Sequence, residues 1–317
     1  MPILAFAIIV PAHAQDYPNK PIHIIVPYAA GGVVDALARV LAVPLRESLG
    51  QPVIVENKPG ASGVVGMVAC ASAAPDGYTF CMTVQDSLSY NPYLFANLPY
   101  HAETDFAAVT NLGWTNGLIV ASAKSGIGSY QELVAMAKAK PGKLNWATWG
   151  EASQPDILLR AIAGHEGIDI VGIPYKGAGQ ANPALFAGEG DLTYMGIGNA
   201  MQHIQAGTLK PIVLTGQQHV ASLPGVPTLA DVGADSGLPG YMAIFAPARV
   251  PKAVLERMQA EIVKAAQTSN VQQFYRQYTL TFVGNTPAEF DQFVKTDREN
   301  AAKIFRKMGF KPGQPTS

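Results

Sequence analysis

Charge is scarce in this chain. Of its 317 residues 14% are Asp, Glu, Lys or Arg, the net charge is -1, and no Lys/Arg cluster occurs. Nucleic acid and anionic membrane both demand concentrated positive charge, so neither is expected as a partner and a small molecule is. Cysteine is nearly absent, with only Cys70 and Cys81. One disulfide is open to them in oxidising surroundings, but nothing in the sequence fixes their separation, and two buried free thiols are the expectation. The six histidines (His13, His23, His101, His165, His203, His219) show no metal-ligand spacing. There is no Gly-x-Ser-x-Gly elbow, no Walker lysine motif and no His-Glu-x-x-His, and Gly177-Ala178-Gly179 lacks the third glycine of a dinucleotide fingerprint. No nucleophile can be paired with a base, so no enzyme, metal or cofactor is expected. The rival reading is an α/β enzyme holding phosphate on its glycine loops, and turnover would reveal it.

Long apolar runs are also missing. Residues 3–10 are a short one, followed by the small-x-small signal Ala12-His13-Ala14 and polar Gln15-Asp16. That pattern reads as a secretory signal peptide over residues 1–14, too short to span a membrane, and places the protein in the periplasm. It lacks a basic n-region, since no Lys or Arg precedes Lys20, which leaves the start of the chain open.

What the chain does have is apolar substance: 48% of its residues are hydrophobic, enough for the cores of about two domains. Residues 17–39, YPNKPIHIIVPYAAGGVVDALAR, run an apolar strand through a proline and two glycines straight into a helix. The first N–H groups of such a helix lack intrahelical partners and carry partial positive charge, so the junction can hold an anion without a charged side chain. A second version lies in IDIVGIPYKGAGQANPALF, where Pro174-Tyr175 matches Pro27-Tyr28, Gly179 matches Gly32 and Asn182 matches Asp35. Two such cradles suggest two lobes facing one cleft.

The pattern along the chain is α/β. A helix over residues 33–49 ends at Gly50, PVIVEN is a strand, KPGASG a turn, a helix runs to Ala74, and YTFCMTV is a buried strand. The pattern restarts at LIVAS near Leu118, with a capping box at Ser129-Tyr130-Gln131-Glu132 and a strand in LNWATW. A helix over 156–164, the second cradle, strand DLTYMGI, a helix over 201–206 and strand KPIVLTG follow. YMAIFAPARV then returns as a strand, Pro251 opens a helix running to about Thr268, and Thr286-Pro287-Ala288-Glu289 caps a final helix. No flexible linker separates the halves. The crossings near Gly117 and Gly240 are expected as short hinges, giving a discontinuous first lobe (15–117 and 241–317) and a second lobe (118–240).

The segments YPNKPIHIIVPYAAGGVVDALAR, LGQPVIVENKPGASG, APDGYTF, YKGAGQANPAL, LPGVPTLADVG and FAPARVP resemble, in order, the periplasmic substrate-binding (Bug) receptors of tripartite tricarboxylate transporters. The resemblance spans residues 17 to 313. It implies a type II periplasmic-binding-protein fold, α/β, with two doubly wound lobes around a central ligand cleft that closes on a small carboxylate and delivers it to the transporter's membrane subunits. A sensory accessory to a membrane sensor kinase would bind in the same way, and a monomer is expected. Carried over, the ligand-binding residues are Tyr28, Ala29, Ala30, Gly31 and Gly32; Gln85, Asp86 and Ser87; Trp149, Gly150, Ala152, Ser153 and Gln154; and Tyr175, Lys176, Gly177, Ala178 and Gly179. Glu151, Asp156, Gly198 and Asn199 are candidates for specificity.

Each residue also has a plainer reading. Paired glycines often serve only a turn, Asp35 falls where any carboxylate favours a helix start, and a lone Lys176 is usually solvated. Ser153 suits an N-cap as well as a ligand contact, and capping is favoured. Tyr28, Trp149 and Tyr175 could sandwich a ring or pack the loops; for Trp149, ligand contact is favoured. Where the family commonly has Gly-x-Gly-Ser/Thr-x-x-His, this chain has Gly150-Glu151-Ala152-Ser153-Gln154-Pro155-Asp156, and the Arg common before the LPxVPT segment is His219. With Asp86 and Glu151 near the cleft, unpaired carboxylates would repel a di- or tricarboxylate. A monocarboxylate is therefore expected, aromatic or bearing an amino or amide group.

Overall fold

The computed structural model describes residues 17–150, 153–175, 178–216, 219–235 and 237–308. Strand β1 (Ile22–Val26) is buried at all but one position, as befits a strand covered on both faces. It leads into α1 (Val33–Leu49), whose stripe of Val34, Leu37, Leu41 and Leu45 joins Ile22, Ile24 and Val26 in one core. The helix stops where expected, because Gly50 takes the left-handed conformation (φ 67°) that other residues resist. β2 (Val53–Asn57), α2 (Val64–Ala71) and β3 (Thr79–Val84) follow, with β2 and β3 parallel to β1 on either side.

After β3 the chain coils at once into a wide π-type turn at Asp86–Tyr90 and then α3 (Asn91–Leu94), before β4 (Phe106–Trp114). The next nine elements are β5 (Gly117–Ser122), α4 (Tyr130–Ala139), β6 (Asn145–Thr148), α5 (Gln154–Glu166), β7 (Val171–Pro174), α6 (Ala178–Ala187), β8 (Leu192–Gly196), α7 (Ile197–Gln205) and β9 (Leu209–Leu214). The chain closes with β10 (Tyr241–Pro247), α8 (Lys252–Ala266), α9 (Ser269–Gln277) and α10 (Pro287–Lys307). α7 begins at Ile197, ahead of the expected 201, so Gly198 and Asn199 lie in its first turn. α9 is separate from α8, which ends at Ala266.

Two five-stranded sheets result, in the orders β2-β1-β3-β10-β4 and β7-β6-β8-β5-β9. The fourth strand of each is antiparallel to its third, because the chain crosses between the sheets twice: β5 leaves after β4, and β10 returns after β9. The sheets are thus mixed, with helices on both faces and the C-terminal ends of the parallel strands directed into one crevice. The crossings run side by side, Thr115 N–H donating to Gly240 O at 2.8 Å. A Cβ on Gly240 would stand 2.2 Å from Thr115 Oγ1, so any other residue there would have to displace the Thr115 side chain.

The caps show how local chemistry sets element ends. Thr286 and Glu289 form the full reciprocal box that opens α10. At α4, Ser129 accepts from Glu132 N–H at 3.2 Å, while Glu132 Oε2 reaches one residue further back, to Gly128 N–H at 2.7 Å. The expectation of free thiols is overturned: Cys70 and Cys81 form a disulfide with Cα atoms 6.0 Å apart. The last turn of α2 lies over the middle of β3, a packing that sequence spacing does not reveal, and both residues are fully buried.

Candidate functional site

Five strand-to-helix junctions meet in the crevice: β1–α1 and β3–Asp86 from the first sheet, and β6–α5, β7–α6 and β8–α7 from the second. At the first, Ala29, Ala30, Gly31 and Gly32 are exposed. Gly31 has φ +88° and therefore needs glycine, whereas the N-cap Gly32 has φ -76° and would keep a Cβ 3.7 Å from Ala29 O. Asp35 is structural, as read from the sequence. Its Oδ2 accepts from Gly31 N–H (2.9 Å) and its Oδ1 from Asn57 Nδ2 (2.9 Å), which also donates to Tyr28 O (3.1 Å). Burial works against its charge, but hydrogen bonds from Arg39, Gly31 and Asn57 outweigh that and hold its carboxyl below the usual range. Beneath the loop, α2 passes so close that a Cβ on Gly66 would meet Pro27 at 2.6 Å.

Asp86 opens the second junction at the centre of a set of tyrosines, its charge felt by Tyr28, Tyr90, Tyr100, Tyr194 and Tyr241. The residue as a whole keeps some exposure, yet its Oδ1 is sealed from solvent without a hydrogen-bond partner. Burial pushes its carboxyl up to about 7, with Gln85 opposing the shift. Burial also lifts the phenols of Tyr28 and Tyr194 to about 12. Ser87 is fully buried rather than facing the crevice: its Oγ lies 2.6 Å from Thr83 Oγ1, which in turn meets Tyr28 Oη at 3.1 Å.

Gln85 joins the two sides. Its Oε1 accepts from Tyr241 N–H (3.0 Å), and its Nε2 donates across the crevice to Gln154 Oε1 (3.2 Å). On the far side Gly150 turns with φ +106°, and Ser153 occupies the N-cap of α5. The Ser153 side chain does not cap, contrary to expectation. It donates to Gly150 O at 2.6 Å and accepts from Trp149 N–H at 3.2 Å, closing the loop on itself. The Trp149 ring meets Tyr194 edge-on at 5.6 Å rather than Tyr28 or Tyr175, and its Nε1–H is sealed without a partner.

Asp156 is not an unpaired acid, because Arg160 Nε binds its Oδ2 at 3.1 Å one turn along α5. Tyr175 N–H donates to Thr148 O (2.9 Å), Ala178 is half-buried at the start of α6, and Gly179 is exposed. Gly198 faces α9, 3.0 Å from Gln277 O to a Cβ placed on it, and Asn199 is exposed. Glu151, Ala152, Lys176, Gly177 and residues 1–14 lie outside the described residues. Tyr194 went unseen in the sequence. Its ring lies over Gly117, two residues along the neighbouring strand from its register partner Ile119, where a Cβ would stand 2.0 Å from the ring, and that cross-strand contact is invisible without the sheet register. A cavity of about 360 Å³ is lined by the crossings and α10, and one of about 460 Å³ by Asn116, residues 219–221 and the α9 region, not by these junctions. The crevice is defined here by the opposed junctions.

Fold and crevice together define a two-lobed solute-binding protein. Residues 37–310 match the tripartite tricarboxylate transporter family receptor model, and the chain belongs to that family. It is 31% identical to the protein BugT of Bordetella pertussis, covering 98% of this chain and 95% of that one. The periplasmic binding protein BugD superposes with a TM-score of 0.83 at 28% identity, over 93% of this chain and 100% of that one. MatC from Rhodopseudomonas palustris with bound malate superposes with a TM-score of 0.80 at 25% identity, over 91% and 99% of the two chains.

Proposed function

We propose that this receptor is exported to the periplasm, captures a small carboxylate by closing a lobe of residues 15–117 and 241–317 onto one of 118–240, and hands it to the membrane subunits of a tripartite tricarboxylate-type transporter. It acts by binding, without turnover. The observation that carries this reading is the set of opposed helix N-termini, bridged by Gln85 and Gln154. Backbone N–H groups there suit a carboxylate, and the malate bound by MatC supports that chemistry. The buried disulfide accords with an oxidising compartment, and no helix among the described residues is long and apolar enough to cross a membrane.

The ligand carries one carboxylate for the cradles and a hydrogen-bond donor, such as an amino or amide group, for Asp86 Oδ1, which no protein donor meets. With Asp156 paired to Arg160, the case against a second carboxylate rests on Asp86 alone among the described acids. A thermal-shift screen of mono-, di- and tricarboxylates, aromatic acids and amino acids tests the reading: at 100 times its Kd a ligand adds about 2.7 kcal/mol. Stabilisation by an amino- or amide-bearing monocarboxylate is expected. A blank across all classes, or product formation from any of them, would overturn it.

A further inference from the structure

Gln85 follows the last residue of β3 and serves two structures at once. Its backbone N–H continues the ladder to β10, donating to Tyr241 O at 3.2 Å, but its carbonyl is taken by Ser89 N–H (2.9 Å), which winds the π-type turn. Tyr241, with no exposed surface, is thereby denied the backbone acceptor that a continued ladder would give its N–H, and Gln85 Oε1 fills the place at 3.0 Å. A backbone N–H can only donate, so this contact fixes which end of the Gln85 amide is oxygen. Gln85 is 5% exposed, and its Nε2 finds its acceptors inside: Gln154 Oε1 across the crevice at 3.2 Å, and Asp86, whose charge the amide favours.

That polarity passes on to Gln154. Because an N–H of Gln85 faces it, the Gln154 amide presents its oxygen to Gln85 and holds its Nε2 away. The residue is half-buried at the opening of α5, and its Nε2 has no partner among the described residues. Ser153, engaged with Gly150 and Trp149, leaves the first N–H groups of α5 without a side-chain cap. The helix end and the side chain beside it therefore both offer N–H groups. A glutamine free to rotate its amide accepts from a donor as readily as it donates to an acceptor, and one held in this chain of contacts does not.

We infer that Gln85 is a positioning residue: anchored on Tyr241 N–H, it locks the Gln154 amide with its N–H groups toward the ligand, so that this point of the crevice selects a carboxylate over a group that donates. The inference rests on the carboxylate reading of the crevice and names what sets the sign of the selection there. Gln85 acts through Gln154, and its effect on binding disappears when Gln154 is gone.

The first arm of the test needs no ligand. In proton–nitrogen correlation spectra of the full wild-type protein, the side-chain amide protons of Gln85 are expected to exchange slowly with water and those of Gln154 quickly, and Gln154→Met to speed exchange at Gln85. The second arm titrates benzoate, 4-aminobutyrate and benzamide, the last having the shape of benzoate with a donor in place of one oxygen. Gln85→Met is expected to weaken benzoate about tenfold, the worth of one hydrogen bond to a charged group, and benzamide less. In a Gln154→Met background the same substitution is expected to add nothing. Slow exchange at Gln154 with fast exchange at Gln85 would overturn the inference, as would an equal loss from Gln85→Met with and without Gln154. Wild-type protein silent toward both benzoate and 4-aminobutyrate would count against the carboxylate reading, while the amide protons would still decide the role of Gln85.

Discussion

Asp86 concentrates the chemistry of the crevice in one side chain. Its carboxyl, raised from 3.8 to about 7 by burial, binds a proton in the folded protein at pH values where the unfolded chain has released it. The native state therefore holds more protons than the unfolded state between about pH 4 and 7, and the group's contribution to stability declines as pH rises through that window. The carboxyls held low by hydrogen bonds, such as Asp35 and Glu56, act in the opposite sense but only near and below their unfolded values. Asp86→Asn is accordingly expected to melt progressively higher relative to wild type as pH rises from 5 to 8. A melting-temperature difference that stays flat over that range would contradict the raised value.

Gly32 gives a second prediction at the same scale. Its backbone is extended enough for any residue, and a Cβ meets only Ala29 O at 3.7 Å, so Gly32→Val is expected to leave the apo melting temperature within a few degrees while abolishing ligand-induced stabilisation. Ligand stabilisation equal to wild type would remove the first cradle from the site. Asp35 and the glycine turn could be read from the sequence because they answer to contacts within a few residues. The partners of Trp149 and Tyr194, and the burial of Ser87, could not, since they depend on strand register and on packing across the sheet.

At the level of elements, the junctions were legible and the helix interiors less so. The stop of α1 at Gly50 and the box at Thr286–Glu289 rest on local hydrogen bonds that the sequence carries in full. Replacing Thr286 with Ala is expected to cost about 1 kcal/mol, measured by denaturant unfolding; an unchanged midpoint would deny the cap its role. The early start of α7 and the π turn at Asp86–Tyr90 were hidden because neither opens with a recognisable capping side chain. The disulfide was likewise hidden, since α2 reaches β3 only through tertiary packing. Closing a loop of 11 residues, it is expected to stabilise the fold by roughly 2.5–3 kcal/mol by chain entropy, so that replacing both cysteines with Ala lowers the melting temperature by about 4 °C. No change would mean that the bond does not form in solution.

Across the whole molecule, the two crossings and the Gln85–Gln154 bridge tie sheets with the same strand order into one binding device. The alternation of strands and helices announced two α/β lobes. That each sheet takes its fourth strand from a crossing was not announced, because a strand's direction and neighbours leave no local trace in its composition. The central claim is that the opposed junctions seize one carboxylate while Asp86 receives a donor from the same ligand. It is tested most directly by calorimetric titration of the wild-type protein and Gly32→Val with amino-bearing and aromatic monocarboxylates alongside citrate. Saturable wild-type binding of a monocarboxylate, lost in Gly32→Val and with citrate inert, is the expected result; tight citrate binding, or monocarboxylate binding indifferent to the Gly32 substitution, would contradict the account.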